Sequence, residues 1–193
     1  MISETAVMFG SEAMTNVSTD GFQFECEVRE TQDRGLGVFA NVEIPKGRIV
    51  WRFAQGAFRV FDERSFTALI DALPRDEAIY ELTHVFGLAD FPDCLIRVLD
   101  AGALLNHSPE GNLATNFDAP PPTPADALAP DYLRAVSDAL PDDRFALIST
   151  RDIGPGEELT NNYAGDVADP PFYRRLCAEY GVDEGYLDDE SGV

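Results

Sequence analysis

Between Ala146 and Tyr163 the chain reads Ala-Leu-Ile-Ser-Thr-Arg-Asp-Ile-Gly-Pro-Gly-Glu-Glu-Leu-Thr-Asn-Asn-Tyr, and no other stretch constrains the fold as strongly. The apolar run Ala146 to Ile148 leads through Arg151-Asp152-Ile153 into Gly154-Pro155-Gly156, a combination that marks a turn. Glu157-Glu158-Leu159-Thr160 follows, and the segment closes on the isolated Tyr163. The spacing predicts a strand, a tight turn, a second strand and an aromatic at its end.

Two upstream stretches carry chemistry of their own. Arg34-Gly35-Leu36-Gly37-Val38-Phe39-Ala40 is followed by Ile44-Pro45-Lys46-Gly47, and Asn106-His107-Ser108-Pro109 is followed by Asn112. Taken singly, each has a plain reading. The glycines of Arg34 to Gly37 allow backbone angles and a close approach that a side chain would block, which suits an ordinary hairpin turn as well as a ligand loop. His107 has no nucleophile or second metal ligand at a recognisable spacing and reads as a loop histidine. Tyr163 reads as a core or edge tyrosine.

Taken together and in this order, the three stretches span about Phe22 to Tyr163 and resemble the SET domain of lysine methyltransferases. The resemblance implies a mainly β fold with helical inserts (α+β), β-clip-like, of several small sheets. It also implies a C-terminal segment threaded through a preceding loop as a pseudoknot, so that Asn106 and Tyr163 meet. It makes Tyr163 catalytic and assigns cofactor binding to Arg34, Gly35, Leu36, Gly37, Asn106, His107 and Tyr163, with S-adenosyl-L-methionine as cofactor. Asn162 stands where many members have Asp. The cysteine-rich zinc segment that often follows the tyrosine is absent, which leaves Phe172, Tyr173 and Tyr186 as aromatics to close the pocket; of these Phe172 is the choice.

Composition narrows the classes. A chain of 193 residues with 45% hydrophobic content supports one domain. Cys26, Cys94 and Cys177 are widely separated, so the expectation is reduced, partly buried thiols, with neither a disulfide framework nor a metal site. No apolar run is long enough to span a bilayer and no signal-peptide pattern opens the sequence, so a cytoplasmic, soluble protein without membrane contact is expected. The net charge of −21 argues against direct nucleic-acid binding. It suits either general solvation of an acidic protein, salt adaptation included, or a field that gathers a basic protein substrate.

The remaining segments fall into place around these motifs. Residues 1–20 are expected to form a flexible leader, 21–165 the SET domain, and 166–193 a helix and acidic tail that complete the cofactor pocket. Phe22 to Arg29 alternates with period two, as a half-buried strand does. Within the insert 62–90, Phe66, Leu69, Ile70 and Leu73 fit one helix, Pro74 breaks it, and Ala78, Ile79, Leu82, Val85 and Phe86 fit a second that stops at Gly87. Tyr80 and His84 on this insert are expected to be surface or satisfied core residues. The insertion 118–143 opens with a stiff proline-rich run and continues into a helix bearing Tyr132, Leu133, Val136 and Leu140, either as a decorated loop or as a lid or docking element. Pro170-Pro171 opens a last helix with Phe172, Leu176 and Tyr180.

The expected function is methyl transfer from S-adenosylmethionine to the ε-amine of a lysine in a protein substrate, histone-like or otherwise basic. An amine attacks a sulfonium methyl only when neutral. At neutral pH, removing the proton from a free lysine costs about 4 to 5 kcal/mol. A nearby positive sulfonium and an apolar channel lower that cost, so the site needs confinement more than a strong base. A catalytically silent SET module acting as an acidic interaction platform, and an enzyme methylating another amine, are the alternatives. Oligomeric state stays open.

Overall fold

The computed structural model describes residues 17–116, 118–119, 131–162 and 168–182. The strands are β1 (Cys26–Glu30), β2 (Leu36–Ala40), β3 (Ile49–Trp51), β4 (Phe58–Phe61), β5 (Val85–Leu88), β6 (Phe91–Val98), β7 (Asn106–His107), β8 (Leu113–Thr115), β9 (Leu147–Ser149) and β10 (Glu158–Asn161). The α-helices are α1 (Glu63–Ala72), α2 (Arg75–Leu82), α3 (Tyr132–Ala139) and α4 (Pro171–Tyr180). Among the described residues, seven strands form one sheet in the order β1-β2-β10-β8-β9-β3, with β7 also on β10, and three form another in the order β4-β6-β5. The architecture is the mainly β arrangement with helical inserts that the motifs imply.

The alternation from Phe22 to Arg29 is present in the burial pattern, although only Cys26–Glu30 is regular strand and Phe22 makes an isolated bridge to Trp51. β1 and β2 form an antiparallel hairpin in register Val28↔Val38, with Arg34 and Gly35 at its tip. The C-terminal segment predicted as strand, turn and strand is β9, the Gly154 to Gly156 turn and β10, but the two strands are not neighbours, because β8 lies between them. Glu157 braces the turn: Gly154 N–H donates to its Oε2 at 3.1 Å, and Arg151 and Asn112 Nδ2 donate to its Oε1. The Arg151 hydrogen bond, ahead of every other cause, holds the Glu157 carboxyl below its ordinary range.

The threading is visible in the strand register. Asn161 pairs in parallel with both His107 and Leu113, so β10 runs between the two ends of the loop 108–112. Asn112, 2% exposed, fastens it: its Nδ2 donates to Glu158 O at 2.7 Å and its Oδ1 accepts from Thr160 N–H at 2.9 Å. Gly111 lies against the threaded backbone, and a Cβ there would stand 2.9 Å from Asn161 C and Asn162 N.

The two helices of the insert form where the apolar period and Pro74 place them. Asp62 caps α1 by accepting from Ser65 N–H at 2.8 Å, and Ser65 Oγ accepts from Asp62 N–H at 3.0 Å. Phe66 and Ile70 are fully buried, which contributes about 1.5–3 kcal/mol each. The second helix ends earlier than expected. α2 stops at Leu82, and Val85 and Phe86 belong to β5, paired with Arg97 and Ile96 of β6. An apolar i, i+3, i+4 spacing fits a helix, but a β-branched residue beside an aromatic also suits a strand, and the partner β6 decides the outcome.

Hydrophobic packing divides into two clusters. The larger joins the sheets and α3 around Val38, Val50, Trp51, Ile96, Val136 and Leu159. The smaller joins α1, α2 and α4 around Phe66, Ile70, Leu82, Leu95, Phe172 and Leu176. α3 buries Val136 and is followed by buried Leu140, and Tyr132 and Leu133, partly buried, pack on the same cluster, as expected of its inner side. The end of the expected leader is fixed: Ala101 N–H donates to Ser18 O at 2.8 Å and Val17 packs on the larger cluster, while residues 1–16 lie outside the described residues. Most of the acidic tail and part of the proline-rich insertion lie outside them as well. Cys94 and Cys177 are buried, Cys26 is partly buried, and none of the three forms a disulfide.

Candidate functional site

The hairpin tip, the end of β7, the threaded strand β10 and the C-terminal end of α2 converge on one cavity of about 540 Å³. This is within the range of small-molecule and cofactor pockets. Its lining is mostly apolar and includes Trp51, Phe53, Leu105, Phe145 and Leu147.

The polar wall is held by one carboxylate. Glu158 Oε2 receives Arg34 Nη2 at 2.7 Å and Glu158 Oε1 receives Asn106 Nδ2 at 2.8 Å. Arg34 Nη1 donates to His107 O at 3.1 Å, and Asn106 Nδ2 donates its second hydrogen to Leu36 O at 3.0 Å. Both partners of Asn106 Nδ2 are pure acceptors, which fixes the amide orientation. Its Oδ1 is therefore an acceptor to which no described residue donates. Asn161 adds another: its Oδ1 is buried and has no hydrogen-bond partner among the described residues.

These atoms have the chemistry of a receptor for an amino-acid head group. A guanidinium with N–H groups to spare can take a carboxylate, and the amide oxygens of Asn106 and Asn161 can take an ammonium. Gly37 allows this closeness. A Cβ there would sit 2.7 Å from Glu158 Oε1 and 3.0 Å from Asn106 Nδ2. Gly35, at the hairpin tip, accepts from Thr31 N–H at 2.7 Å and from Thr31 Oγ1 at 3.0 Å, which sets the turn that presents Arg34 and Leu36.

Of the residues selected from sequence, Arg34, Leu36, Asn106 and His107 line the cavity, and Gly35 and Gly37 shape the hairpin beside it. Asn162 also lines it, its Nδ2 donating to Pro109 O at 3.4 Å. Tyr163 and Tyr186 lie outside the described residues. Phe172, expected to close the pocket, does not line it. It is 6% exposed and packed in the cluster of α1, α2 and α4, because the insert helices offer its ring a complete apolar surface. Tyr173 is turned the same way and donates its hydroxyl to Leu82 O at 2.8 Å.

Glu158 and Asn161 went unselected in the sequence. Glu158 is separated from its partners Arg34 and Asn106 by 124 and 52 residues, so only the threading reveals its role. Tyr80 and His84, for which the sequence favours a surface or satisfied core role over a catalytic one, line the cavity. Among the described residues, no group of His, Cys, Asp and Glu could hold a metal ion, and no helix is long and apolar enough to cross a membrane.

The family model described as the SET domain matches residues 35–164. The histone-lysine N-methyltransferase SETMAR of Rattus norvegicus is 28% identical over 159 residues, covering 81% of this chain and 44% of the relative. The Mus musculus protein of the same name is 26% identical, covering 81% and 45%. The chain thus spans less than half the length of these relatives. Among solved structures, the methyltransferase domain of human histone-lysine N-methyltransferase SETMAR aligns at 25% identity with a TM-score of 0.49, covering 78% of this chain and 48% of that one.

Proposed function

The chain belongs to the SET-domain family, and on that premise we propose that it is an S-adenosylmethionine-dependent protein-lysine N-methyltransferase. The observation that carries this reading is the Arg34–Glu158–Asn106 cluster on the wall of a largely apolar cavity. It supplies a cation for a carboxylate and uncommitted amide oxygens for an ammonium, the two ends of the cofactor's amino-acid part. When bound, S-adenosylmethionine supplies an electrophilic methyl group on a positive sulfur.

The chain's own residues supply position and exclusion of water. Arg34 and Asn106 orient the cofactor, with Glu158 holding both side chains in place. The apolar lining of Trp51, Phe53, Phe145 and Leu147 disfavours a charged ammonium and so favours the neutral amine that attacks. Tyr163, two residues beyond Asn161 at the end of β10, is the proposed catalytic residue; its hydroxyl would orient the amine or the methyl group and its ring would form part of the channel. The substrate is a protein lysine, and the net charge of −21 favours a basic protein.

The experiment is transfer of radiolabelled methyl groups from S-adenosylmethionine into a panel of basic proteins, wild type beside Tyr163→Phe, with the labelled amino acid identified after hydrolysis. Label on lysine, reduced at least about 100-fold in the variant, is the expected result. Label confined to another amino acid, or equal labelling by both proteins, contradicts the assignment.

A further inference from the structure

Tyr80 in the last turn of α2, with Thr83 and His84 just beyond it, also lines the cavity. There the Tyr80 and His84 rings stack with centroids 4.0 Å apart and 28° between planes. His84 Nδ1 lies 2.7 Å from Tyr80 O and 3.0 Å from Thr83 Oγ1. A carbonyl oxygen only accepts, so Nδ1 carries the hydrogen and donates it. In the neutral ring Nε2 then has a lone pair, and no described residue donates to it. Thr83 Oγ1 donates to the same carbonyl at 2.9 Å.

We infer that His84 Nε2 is the hydrogen-bond acceptor for an N–H of the target amine, a specificity-determining contact supplied by the helical insert. The inference rests on the lysine methyltransferase reading. The amino-acid end of the cofactor already has its acceptors at Asn106 and Asn161, and His84 makes no hydrogen bond to that cluster. A flat aromatic pair with one fixed acceptor suits a slender chain that ends in a nitrogen donor.

Burial, ahead of the charged groups around the ring, favours its neutral form. Burial is the largest influence and lowers the His84 pKa; the bond to Tyr80 O acts the other way, Arg97 of β6 lowers it and Glu81 of α2 raises it. Arg97 Nε and Glu81 Oε2 pair at 3.1 Å, with Arg97 also 5.6 Å from the Tyr80 ring centroid. Arg34 and His107 line the cavity as well. A lowered pKa extends the neutral, accepting form to lower pH than an ordinary histidine. Once protonated, the ring cannot accept and repels a cationic target.

The test uses His84→Asn, whose Nδ2 can keep the bond to Tyr80 O while Nε2 is lost, and His84→Gln, which can return an acceptor near the Nε2 position. Asn should raise KM for the lysine substrate about tenfold at pH 8 and abolish the further rise in KM below the histidine range. Gln should restore part of the loss, and affinity for S-adenosylhomocysteine should be unchanged in both. Because the chain has two histidines, nitrogen NMR of the ¹⁵N-histidine protein reports the site without catalysis. n-Butylamine, added with S-adenosylhomocysteine, should shift the His84 Nε2 resonance. No shift, an unaltered KM profile in Asn, or an equal loss of S-adenosylhomocysteine affinity overturns the assignment. Absence of lysine methylation alone overturns the enzyme reading and leaves the amine titration to decide the His84 contact.

Discussion

Glu158 is the residue on which the geometry of the polar wall depends. Its side chain is 16% exposed and its two oxygens hold one guanidinium and one amide. Removing the carboxylate leaves Arg34 only its hydrogen bond to His107 O and Asn106 only its hydrogen bond to Leu36 O, so both proposed cofactor contacts lose part of their preset orientation. Glu158→Ala should weaken S-adenosylmethionine binding by about 1.5–3 kcal/mol, the range of hydrogen bonds to charged groups. The single tryptophan, Trp51, lines the same cavity and provides a fluorescence titration. An unchanged binding curve would show that Arg34 and Asn106 are held without Glu158.

At the level of elements, the decisive arrangement is the passage of β10 between β7 and β8. The loop 108–112 closes over it with Gly111 against backbone, so an added methyl group has no flexible neighbour to displace. Gly111→Ala should destabilise the fold by about 1–3 kcal/mol, as overpacked sites do. A lower urea midpoint at constant slope is the expected observation; an unaltered midpoint would mean that the loop yields at no cost. Much of this framework is legible in the chain: Gly154-Pro155-Gly156, Pro74 and Pro170-Pro171 punctuate it where turns and helix starts occur, and Arg34 and Asn106 fall at the cavity. Val85 and Phe86 did not, since their spacing suits a helix and only the pairing with β6 makes them a strand. Phe172 shows the same limit, because an aromatic advertises burial without saying which of two clusters receives it. His84 gave no signal, as its Nδ1 partner is a backbone carbonyl that any sequence would supply.

Across the whole molecule, segments from Arg34 to Asn162 contribute to a single cavity, and Val85 belongs both to its lining and to the cluster of α1, α2 and α4. The net charge of −21 supports the proposed long-range preference for basic partners. S-adenosylmethionine is proposed to sit in this cavity against Arg34 and Asn106. Isothermal calorimetry with S-adenosylhomocysteine, comparing wild type with Asn106→Ala, addresses it most directly. One site per chain, weakened at least about tenfold in the variant, is the predicted result. No binding to the wild type, or equal binding to both proteins, would contradict it.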